Sequence, residues 1–90
     1  MTATSGILAD LYDVYAPALN GVIGVFTADQ EMVHGILQQS FIVMHRKISS
    51  APIDSDETFG WMLRITLFQV RHTLKISTSD IVKKIAIQAG

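Results

Sequence analysis

The sequence predicts an all-α domain built as a bundle of three or four helices. Three observations carry that expectation. Apolar residues recur at i, i+3 and i+4 over three long stretches, the period of an amphipathic helix. Capping residues, a proline or short polar runs bound those stretches. An apolar content of 49% against 17% charged residues gives the 90 residues material for one small core and argues against disorder.

The first helix is expected to run from Ser5, a residue type suited to N-capping, to about Phe26. Its apolar stripe is Ile7, Leu8, Leu11, Tyr12, Tyr15, Leu19, Val22, Ile23 and Phe26. Pro17 removes a backbone donor and crowds the preceding turn, so a kink is expected near Val14–Ala16. Gly21 and Gly24 lower helix propensity, and their small size could let another helix approach closely. Thr27-Ala28-Asp29 reads as a break, with Asp29 capping a second helix that runs to about Lys47. Asp29 and Glu31 suit the positive end of its dipole, and Arg46 and Lys47 the negative end. Val33, Ile36, Leu37, Phe41, Met44 and Ile48 form its buried stripe.

Ser49 to Glu57, small, polar and acidic with Pro52, is a loop inside the single domain spanning residues 1–90. A third helix is expected from about Asp56 to Leu74. Its apolar residues Phe59, Met62, Leu63, Ile65, Leu67, Phe68, Val70 and Leu74 wrap much of its circumference. Ser77-Thr78-Ser79-Asp80 offers a further capping sequence before Ile81, Val82, Ile85 and Ile87. Residues 76–90 are therefore expected as a short helix or tail beyond a core of about residues 5–75.

The net charge of −1 averages two unlike halves. Residues 1–45 hold four acids and no lysine or arginine, whereas residues 46–90 hold all seven cations against four acids, giving −4 and +3. Two faces meeting two partners, one of them a polyanion, would produce such a split, and so would simple solvation of surface helices. The absence of cysteine removes disulfides, Cys-ligated metals and thiol chemistry. No glycine-rich phosphate loop, GxSxG turn, HExxH or EF-hand spacing is present, so neither an enzyme nor a cofactor is expected. His34 and His45 lie about 16 Å apart along one helix, too far to share a metal. His72 has no ligand-spaced partner, and Asp54, Asp56 and Glu57 read as a solvated acidic loop. No run approaches a membrane span, and Met1–Gly6 lacks a basic leader, so no membrane partner and a cytoplasmic location are expected.

The order of the segments carries more. Leu11-Tyr-Asp-Val-Tyr-Ala-Pro-Ala-Leu19, then Asp29 and Glu31, Ile36-Leu-Gln-Gln-Ser-Phe41 with Arg46, and Trp61-Met-Leu-Arg-Ile65 together resemble region 2 of extracytoplasmic-function sigma factors, over about residues 8–75. The resemblance implies a bacterial, helical transcription-initiation module. Its second helix would dock on the clamp helices of the largest subunit of core RNA polymerase, through Ile36, Leu37, Gln38, Phe41 and Arg46. Its third helix would engage the minus-ten element of promoter DNA, with Trp61 at the family tryptophan and Arg64, Arg71 and Lys75 able to meet phosphates. Leu37 and Phe41 are equally core positions by periodicity, and Trp61 could anchor the third helix to the core. Gln38 has the amide of an interface residue.

The sequence also departs from that pattern. Gly35 and Gln39 replace the acids of the polymerase-binding motif, and His45 an aromatic. Leu67 and Phe68 replace a basic residue and an asparagine, His72 an aspartate, and Thr58 a phenylalanine. The ninety residues hold no counterpart of the helix-turn-helix region 4, so a free-standing module or a piece of a longer factor is expected. Two functions follow. One is a sigma-like module contacting polymerase and promoter DNA, binding DNA weakly when alone. The other is a degenerate interaction domain that dimerises, or binds an anti-sigma protein or polymerase, without promoter recognition.

Overall fold

The computed structural model describes residues 3–53 and 56–89. Among the described residues all regular structure is helical: α1 (Ala3–Gly24), α2 (Gln30–Arg46), α3 (Thr58–Leu74), α4 (Thr78–Ala89) and a one-turn 3-10 helix, Ile48–Ser50. The all-α bundle expected from periodicity is the fold observed. Helix α1 starts two residues before Ser5, which therefore lies inside the helix; its side chain, like Asp54 of the acidic loop, lies outside the described atoms. The helix runs unbroken through Pro17. Pro17 and Asp13 are both exposed, so the carbonyl of Asp13, which loses its donor to the proline ring, is on the solvent side.

The other boundaries follow their caps. Asp29 accepts the backbone N–H of Glu31 at 3.0 Å and that of Met32 at 3.4 Å, starting α2 where the sequence places its cap. At α4, Ser77 Oγ accepts the Asp80 N–H at 3.1 Å while Asp80 Oδ2 accepts the Ser77 N–H at 3.4 Å, a reciprocal capping box. The Thr58 hydroxyl, buried at the start of α3, donates to the Pro52 carbonyl and ties the acidic loop to the bundle. Helix α3 ends on Lys75 in the left-handed region (φ 55°, ψ 43°), and the N–H groups of Lys75 and Ile76 both reach the Arg71 carbonyl.

Helix α2 is the centre of the packing. It lies against both α1 and α3, α1 also touches α3, and α4 touches α3 alone. The core joins Ala16, Leu19 and Ile23 of α1 to Val33, Ile36, Leu37, Phe41 and Met44 of α2 and Trp61, Met62 and Val70 of α3. Only part of the expected α1 stripe is buried: Leu8, Leu11, Tyr15 and Phe26 are half-buried and Tyr12 is exposed. Two core positions are hydroxyl residues that periodicity passes over. Ser40 donates to the Ile36 carbonyl at 2.7 Å and Thr66 to the Met62 carbonyl at 2.9 Å, so each hydroxyl is satisfied within its own helix. Gly21 and Gly24 do not admit a neighbouring helix: a Cβ at either would meet nothing within 4 Å.

Candidate functional site

Two grooves flank α2, one against each of its neighbours. The first lies between α1 and α2 and encloses about 560 Å³. Leu8 and Tyr12 form its α1 wall, and Leu37, Phe41 and Ile42 its apolar α2 wall; His34, Gln38, His45 and Arg46 supply the polar groups. The Tyr12 ring meets Phe41 edge-on, with centroids 4.9 Å apart at 60°. Four of the five residues expected to contact polymerase, Leu37, Gln38, Phe41 and Arg46, therefore line one surface. Ile36 does not: one residue earlier on the helix, it points into the bundle and is 1% exposed, which leaves it no surface to offer a partner.

The second groove follows α3 and has two hollows. The hollow nearer the start of α3, about 470 Å³, is walled by Val43 of α2, by Lys47 just past its end, and by Trp61, Arg64, Ile65, Phe68 and Gln69 of α3. The hollow at its end, also about 470 Å³, is lined by Phe68, Arg71, His72, Lys75 and Ile76. Phe68 is the ridge between them. Residues 61, 64, 68 and 71 recur at alternating steps of three and four, so they share one face of the helix, and Lys75, just past its end, lines the same hollow as Phe68 and Arg71. Arg64, Arg71 and Lys75 are exposed, and neither hollow has an acidic residue in its lining. All four residues expected to meet DNA thus belong to one continuous face.

Their roles within it differ. Trp61 is 9% exposed and belongs to the core, so it is an anchor whose edge borders the groove. Phe68, by contrast, is 60% exposed and lies parallel to His72, with ring planes 5° apart and centroids separated by 6.2 Å. A scan against protein-family models matches no family, and searches of curated proteins and of solved structures find no match. The site is therefore read from its own geometry.

Lys47 is a functional candidate that the sequence reading did not assign to the DNA face, and Phe68 one that it set at a polar, DNA-facing position of the family as an apolar replacement favouring a protein contact. Phe68 had a signal, since it continues the three-four spacing of Trp61, Arg64 and Arg71. Lys47 had none, because it enters the groove only through the packing of α2 on α3. On the first groove, Tyr12 is brought in by the α1–α2 contact, whereas His34 and Ile42 lie one turn either side of Gln38 on α2 itself. The described residues contain no cluster of metal-ligating side chains, and none of their helices is long and apolar enough to cross a membrane.

Proposed function

We propose that the protein is a sigma-like transcription-initiation module that docks on core RNA polymerase through the α1/α2 groove and holds an unpaired promoter strand along α3. The observation that carries this reading is the open basic face of α3, on which Arg64, Arg71 and Lys75 are exposed with no acid in the hollows beside them. A polyanion laid along that face releases counterions at each neutralised phosphate, which gives affinity without sequence reading. The α1/α2 groove offers a different chemistry, an apolar floor of Leu37 and Phe41 rimmed by Gln38 and Arg46, suited to a protein helix. Because the two grooves lie on opposite flanks of α2, a protein partner and a strand can be held together.

Retention on immobilised core RNA polymerase, with binding of a single-stranded minus-ten oligonucleotide followed across a salt series, tests the reading. Retention on polymerase and an affinity for DNA that falls as salt rises are expected. Binding to neither would overturn it. The exposure of Phe68 favours a second reading, in which α3 is instead the contact surface for another copy or an anti-sigma protein. Polymerase retention or self-association with no binding to DNA would select it.

A further inference from the structure

We infer that the α1/α2 groove takes an acidic amphipathic helix, seated with a carboxylate against Arg46 and His45 at the C-terminal end of α2. The inference rests on the proposed use of that groove for a protein helix and names the chemistry of the segment docked there. Its lining on α2 runs from His34 to Arg46, about 18 Å at 1.5 Å per residue, the length of a helix of roughly three turns. Along that length Leu37 and Phe41 are buried, while Tyr12 is 47% and Ile42 38% exposed, so apolar side chains stand open on both walls. A trough between two packed helices suits a further helix that presents apolar residues one turn apart.

Charge complementarity decides the character of the occupant. The polar lining is Gln38 with His34, His45 and Arg46, and no acid is among the described residues that line the groove. Glu31, the single acid of α2, lies in its first turn, before the groove begins. From α1, Tyr12 faces the groove, and Asp13 joins His34 in the smaller hollow that continues it. The His34 end therefore pairs an imidazole with an acid, whereas the far end holds Arg46 and His45 with none. Arg46 offers a carboxylate a bidentate contact and repels a lysine. His45 adds a second positive charge there when its imidazole takes up a proton, between about pH 8 and 5. The unlike ends set the placement of the partner's acid as well as its sign.

The test measures, by anisotropy, the binding of fluorescently labelled helical peptides of about fourteen residues that share one leucine stripe and carry Glu, Gln or Lys beside its end. The Glu peptide is expected to bind the native protein about tenfold more tightly than the Gln peptide, and the Lys peptide least. Lowering the pH from about 8 to 6 strengthens the Glu peptide alone, and His45→Gln removes that gain. Arg46→Gln brings the Glu peptide down to the Gln peptide, and Ile42→Ala weakens every peptide alike. His45, Arg46 and Ile42 are exposed, so circular dichroism should show each variant folded. Arg71→Gln, in the opposite groove, leaves the preference for Glu in place. A preference lost in Arg71→Gln and kept in Arg46→Gln would put the acid on α3 and overturn the inference. So would a Lys peptide that binds as tightly as the Glu peptide, or no binding of any peptide. Retention on polymerase is scored separately: its loss beside an intact preference for Glu removes the polymerase reading alone, and retention without that preference removes the inference alone.

Discussion

Lys75 sits at a backbone position that runs against the preference of its residue. It is the only non-glycine residue with positive φ among the described residues, at the turn that closes α3, a position glycine usually takes. A lysine there costs backbone energy and places a cation at the end of the basic face. Lys75→Gly is therefore expected to act in opposite directions on two properties. The midpoint of urea unfolding should rise, by about 0.5–1 kcal/mol in stability, because the left-handed conformation no longer crowds a Cβ. Affinity for single-stranded DNA should fall. A variant that binds as tightly as the native chain would remove Lys75 from the DNA face.

At the level of elements, α2 carries an avoidable weakness and α4 a loose attachment. Gly35 lies on the exposed side of α2, and a Cβ there would meet nothing within 4 Å, so no close approach requires a glycine. Gly35→Ala is expected to stabilise the protein by about 1 kcal/mol in denaturant titration. Helix α4 is well capped, yet it packs on α3 alone, through Ile81, while Val82, Ile85 and Ile87 remain exposed. Native-state hydrogen exchange should therefore show α4 amides exchanging well before those at the centre of α2. Equal protection of the two helices would mean that α4 unfolds only with the whole bundle.

Across the whole molecule, the acidic and basic halves of the chain occupy different ground. Asp10 and Asp13 lie exposed on α1, whereas Lys47, Arg64, Arg71 and Lys75 collect around the α2/α3 groove. A net charge of −1 thus coexists with a face able to neutralise several phosphates. If all four cations meet phosphates, the logarithm of the single-strand binding constant should fall with that of salt with a slope near −3, about −0.7 per contact. Arg71→Ala should lessen the slope by about one contact. A slope near zero would show that charge does not drive the binding.

Local chemistry determined much of this architecture. Asp29 and the Ser77–Asp80 pair act on backbone groups within a few residues, so the starts of α2 and α4 were legible directly. The buried stripe of α2 was legible too, because that helix is covered on two sides and its apolar positions repeat cleanly. Helix α3 was not. Its apolar residues surround it, so periodicity could not tell which arc α2 and α1 would cover. Packing buried Trp61 and Met62 and left Phe68 in water. It also brought Lys47 to Arg64 and Tyr12 to Phe41, pairs separated by long stretches of chain. The sequence by itself determined the helices, the caps of α2 and α4 and the uneven distribution of charge, all of which depend on neighbours along the chain. Only the tertiary structure decided the two grooves and the division of labour between a buried tryptophan and an exposed phenylalanine, because a groove exists only where two helices meet.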